Sequence, residues 1–73
     1  MATKAEIAQW FEQGKKNSEN THMIVVCDTF NYEDYPVYVK NGESVQKIED
    51  QCNRESMQKV MEVYDLSKNN PNH

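Results

Sequence analysis

The residues best suited to chemistry in this 73-residue chain stand together in Asp28-Thr29-Phe30-Asn31-Tyr32-Glu33-Asp34-Tyr35, with Tyr38 close behind. Three of the four tyrosines fall within seven residues, and three carboxylates lie beside them. Tyrosine offers a rigid ring with a polar tip, a surface that stacks on a base or anchors a partner. In such a site Phe30, Tyr32, Tyr35 and Tyr38 supply the rings, and Asp28 and Thr29 hydrogen-bond a ribose or a base edge. Arg54 is the phosphate contact, with Lys40, Lys47 and Lys59 as further cations. The competing role is structural: Tyr38 and Tyr64 packing on sheet faces, Tyr32 and Tyr35 anchoring a loop.

Other chemistries find less support. Asp28, Glu33 and Asp34 lack the alternating ligands and central glycine of an EF-hand. As a hydrolytic carboxylate pair they have no nucleophile, independent base or phosphate clamp beside them. His22 and Asp28 share a strand face but stand roughly 20 Å apart at strand rise. Cys27 and Cys52 match no zinc spacing, with only His22 and His73 to assist. Cys27 lies in the most apolar run of the chain, where cysteine behaves as a small hydrophobe. No phosphate-binding glycine loop, P-loop or nucleophile elbow is present. The expectation is a non-enzymatic protein with no cofactor and no bound metal.

These residues must be positioned by a small set of elements. Thr3 and Glu6 form a T-x-x-E capping box, and Ile7, Trp10, Phe11 and Gly14 follow at helical spacing, which predicts a helix over 3–16. Gly14 serves there either as a close-packing position or as the helix stop. Residues 22–30 read as a strand; Met23-Ile24-Val25-Val26-Cys27 is continuously apolar, so both faces need cover. A helix covers one, and a second helix or another copy of the chain covers the other. An acidic link over 31–36 leads to a short strand at 36–40, giving an antiparallel hairpin. Asn41-Gly42 allows a hairpin turn. Ser44 caps better as a helix start, since Val45, Ile48 and Cys52 keep helical spacing, and a helix over 44–52 is preferred. Met57 to Leu66 is out of phase with that stripe and alternates, so it reads as a third strand. The tail at 67–73 carries no apolar residue and is expected to fray.

The resulting fold is α+β: one αββαβ domain over 1–66, a three-stranded antiparallel sheet with two helices. Such a domain buries only roughly 60% of its unfolded surface, so exposed sheet edges or an uncovered face suggest a homo-oligomer. Eight Lys+Arg stand against twelve Asp+Glu, a formal charge of −4, which argues against general nucleic-acid binding. No segment approaches a membrane span and no signal-peptide core opens the chain, so a cytoplasmic protein is expected.

The run THMIVVCDTFNYEDYPVYV, followed by MQKVMEVYDLS, resembles a family of short proteins encoded in bacteriophage and bacterial genomes. Its members read close to M-I-V-V-C-D-T-F-x-x-E-D-Y-P-V-Y-V and then V-M-E-V-Y, and the match covers residues 21–66. The resemblance carries over no catalytic residue. It implies a phage accessory protein acting in the host cytoplasm. One expectation is an oligomer that sequesters a nucleotide-like signal of host defence in pockets between subunits. The alternatives are an inhibitor that meets a host protein through an acidic surface of Glu33, Asp34, Glu43, Glu49 and Asp50, or a structural or regulatory protein.

Overall fold

The computed structural model describes residues 2–69. The chain folds as α1 (Lys4–Lys15), β1 (Asn20–Asp28), β2 (Glu33–Lys40), α2 (Val45–Arg54) and β3 (Gln58–Asp65), the expected αββαβ order. The sheet is antiparallel with strand order β2-β1-β3, so the apolar run forms the central strand.

Each helix begins where its cap dictates. Thr3 Oγ1 accepts the Glu6 N–H and the Glu6 carboxylate accepts the Thr3 N–H, which completes the capping box. Ser44 Oγ accepts the Lys47 N–H and starts α2. Asn41-Gly42 forms a turn closed by the Glu43 N–H on Lys40 O, with Gly42 at φ 93°, but it leads into α2 rather than a hairpin, and Asn41 lacks the positive φ of a type I′ turn. The second helix runs two residues beyond the expected 52, because the Glu55 N–H still reaches Gln51 O.

The two sheet faces each carry one helix. On one, Phe11 of α1 packs with Met23, Val25 and Leu66, flanked by Ile7, Trp10, Tyr38 and Tyr64. On the other, Cys52 of α2 packs with Ile24, Val26 and Val39, flanked by Val45, Ile48, Val60 and Val63. Strand alternation thus sorts β1 as its sequence predicts. An uncovered face along the middle of the sheet, one premise for an oligomer, is not found. The edges are blunted as well. β2 carries Pro36, which has no N–H to offer, and β3 bulges at Met61, since Glu62 pairs with Val25 and Val60 with Val26.

The hairpin boundaries shift from those expected. β1 stops at Asp28 rather than Phe30, because Asp28 Oδ1 takes the Phe30 N–H and its backbone carbonyl takes that of Tyr32. Asn31 Oδ1 takes the Glu33 N–H, and β2 begins at Glu33 rather than Pro36. Two short polar side chains, each bonding two residues on, compress the link to four residues. At the other end the Ser67 and Lys68 N–H groups donate to Asp65. Residues 70–73 of the expected tail lie outside the described residues.

Candidate functional site

The first helix packs on one face of the sheet. It starts beside β2, where the Ala2 N–H donates to Asp34 Oδ2 at 2.8 Å. It ends over Leu66, just past β3, with Gly14 pressed against Tyr38 and Leu66. Gly14 is therefore the close-packing position, not the stop. At one corner of that face, where β3 begins, no α1 residue lines the surface.

At that corner the ladder lines up one row across the sheet. Cys27 of β1 pairs with Asp34 of β2 on one side and with Lys59 of β3 on the other. Tyr32 and Met61 close the row into a mainly apolar pocket of about 170 Å³. Burial first, then a hydrogen bond to Asp34 and its charge, pushes the Cys27 thiol up from its usual 9.0. At neutral pH it is a protonated, apolar floor, not a nucleophile. The pocket therefore offers an aromatic ring, an apolar floor, one carboxylate and one ammonium.

The same end of the molecule gathers the exposed apolar side chains. Phe30 is 74% exposed, Tyr32 71%, Met57 59% and Met61 41%, and all lie on or beside the β1–β2 turn and the start of β3. The Thr29 N–H donates to Met57 O at 2.7 Å, which ties the two turns together. Among the described residues, the non-glycine residues at positive φ are Tyr32 (59°) and Met57 (64°). A left-handed conformation costs an L-residue roughly 1–2 kcal/mol, so glycine would suit both positions better for stability.

The residues expected at the site are only partly brought together. Tyr32 lines the pocket; Phe30, two residues before it in the turn, is exposed and does not line it. Asp28 and Thr29 build the turns through the bonds just described. Tyr38 is half-buried under α1, its hydroxyl donating to Trp10 O at 2.7 Å, and burial raises its pKa. Tyr35 pairs with Val26 and so points to the α2 face, where its hydroxyl donates to Gln58 Oε1 at 2.6 Å. Arg54 ends α2 on that face too, so the cation at the pocket is Lys59. Cys27, Asp34 and Met61 were not among the expected ligand contacts, whereas Lys59 was one of the further cations expected to meet a phosphate. The alternation of β1 and the hairpin register locate Cys27 and Asp34, but Lys59 needs the β1–β3 register, which the bulge shifts.

The acidic residues lie on several different elements. Glu33 and Asp34 lie at the pocket end, Glu49 and Asp50 on α2, and Glu43 beyond the far end of β2, where it accepts the Lys40 N–H. A broader groove of about 340 Å³ lies at that far end, lined by Lys15, Asn20, His22 and Asp65 among others. Its polar groups mostly close the loop after α1: Asn20 Nδ2 donates to Gly14 O and Thr21 Oγ1 to Val39 O. One acceptor there, Asn20 Oδ1, is buried without a protein partner. No group of His, Cys, Asp and Glu among the described residues could hold a metal ion, and no described helix is long and apolar enough to cross a membrane.

No family model, no curated protein and no solved structure matches this chain.

Proposed function

We propose that this chain is a non-enzymatic binding protein whose ligand is a small planar anion, nucleotide-like in chemistry, held at the corner over Cys27. Tyr32 stacks on the ring system, Lys59 meets the anionic group, and Asp34 accepts from the ring's N–H groups. The observation that carries this reading is the placement of Tyr32 and Met57. Both are large, exposed and held at positive φ, beside the concave corner that α1 leaves open. Backbone strain and exposed apolar surface each carry a stability cost, and their coincidence at one place marks a surface kept for contact. In this reading the chain holds a nucleotide-like signal without turning it over.

The test is a calorimetric titration of the chain with adenosine monophosphate and with a cyclic dinucleotide. Binding of either should weaken about tenfold or more in Tyr32→Ala, since base stacking on an aromatic ring contributes about 1–3 kcal/mol. Lys59→Ala should weaken it comparably and flatten its salt dependence. Binding that survives both substitutions unchanged would remove the corner as the site.

A further inference from the structure

The pocket over Cys27 measures about 170 Å³. Sites that enclose a drug-sized ligand run to about 300–1,000 Å³. A nucleotide on one chain would leave most of its surface in water. Yet the rim is the most apolar exposed part of the molecule, with Tyr32 and Met61 in the pocket wall and Phe30 and Met57 at the adjoining turns.

We propose that a second copy of this chain covers the corner, so that two half-pockets related by a two-fold axis face each other and together form the ligand site. This rests on the reading of the corner as a ligand site, and it adds that the site is incomplete in one chain. A two-fold contact requires a surface complementary to itself. On the corner's own face the ladder sets Asp34 on one side of Cys27 and Lys59 on the other, so the acid of one copy can meet the base of the other. Two facing pockets enclose about twice the volume of one, which enters the range for a nucleotide. Other modes of pairing are less suited. Pro36 and the Met61 bulge oppose strand addition at the edges, and both faces already carry a helix over their centre. A stable dimer needs about 800 Å² from each partner. That is about one sixth of the total accessible surface of 5112 Å². A 73-residue domain also gains from the added burial, because its own core is small.

The experiment is sedimentation velocity on the full chain from low micromolar to millimolar concentration, without nucleotide and with adenosine monophosphate. Met61→Glu and Phe30→Glu are run alongside, with circular dichroism to confirm that each remains folded. A dimer that both substitutions shift to monomer, with one nucleotide bound per two chains, is the expected result. Two variants guard against a misfolded one, and Phe30, on an exposed turn, should be tolerated. A folded chain that stays monomeric with and without nucleotide overturns the inference. So does a dimer indifferent to both substitutions, since its interface then lies elsewhere. A monomer that binds nucleotide at the corner would overturn the shared pocket alone and leave the ligand reading standing. A dimer dispersed by both substitutions that binds no nucleotide would do the reverse, upholding the interface and removing the ligand.

Discussion

Tyr35 donates its hydroxyl to Gln58 Oε1 at 2.6 Å, joining the two edge strands across the central one. Gln58 Nε2 passes the link on to Cys52 O at 2.9 Å, so β2, β3 and the end of α2 are fixed by one amide. The bond explains why a tyrosine from the aromatic cluster does not join the pocket: its face of the sheet belongs to α2. The pK of the phenol is raised, first by burial and then by Cys52, Asp28 and Glu55 nearby.

Tyr35→Phe removes this hydrogen bond and little apolar contact. We expect a loss of about 0.5–1.5 kcal/mol in urea unfolding with an unchanged m-value. Ligand affinity should stay as it is, because Tyr35 and the pocket lie on opposite faces. A fall in affinity without a loss of stability would place Tyr35 in the site.

Gly14→Ala should destabilise the fold although alanine is the better helix former. An added Cβ would stand 2.6 Å from Tyr38 Cε1 and 3.2 Å from Leu66 Cδ1. Tyr38 cannot swing aside without breaking its bond to Trp10 O. Overpacking costs about 1–3 kcal/mol against a propensity gain of about 1 kcal/mol, so a net loss near 1 kcal/mol is expected from thermal or urea unfolding.

Met57→Gly should act in the opposite sense. Met57 is 59% exposed and left-handed, so glycine relieves strain and gives up little burial. A gain of about 0.5–1 kcal/mol in unfolding free energy is expected, offset in part by the greater freedom of glycine in the unfolded chain. If the contact surface is as proposed, this more stable variant should bind and self-associate less well.

Alkali should unfold the chain through its buried acids. Cys27 and Cys52 are raised from 9.0, and Tyr35, Tyr38 and Tyr64 from 10.0, with burial the leading cause in each. A group whose folded pKa lies above its unfolded value stabilises the fold fully below the unfolded value, and that contribution is lost as pH rises through the folded one. Unfolding free energy should therefore hold through neutral pH and fall above about 9, and the fall should be shallower in Tyr38→Phe. A curve that stays level into strong alkali would contradict the burial of these groups.

Much of the architecture was legible in the sequence because the local signals agreed with the packing. The Thr3–Glu6 box, the Ser44 cap and the phase break after Cys52 each fixed an element, and the alternation of β1 sorted its residues to the correct faces. The site was less legible. The aromatic cluster reads as one loop, but Asp28 and Asn31 shorten that loop to a tight turn, which draws Glu33, Asp34 and Tyr35 into β2 and so onto alternate faces. Residues adjacent in sequence are then separated by the thickness of the sheet. Lys59 comes to Cys27 only through a long-range register displaced by one residue at Met61. The placement of α1 depends on tertiary contacts such as Ala2 to Asp34, which no periodicity encodes.

The most direct test of the corner as the binding site is a two-dimensional ¹H–¹⁵N NMR titration of the labelled chain with adenosine monophosphate. The account predicts that the perturbed amides centre on Cys27, Tyr32, Asp34, Lys59 and Met61 and spare the far-end groove around Asn20 and Asp65. Perturbations centred on that groove, or none at saturating nucleotide, would contradict it.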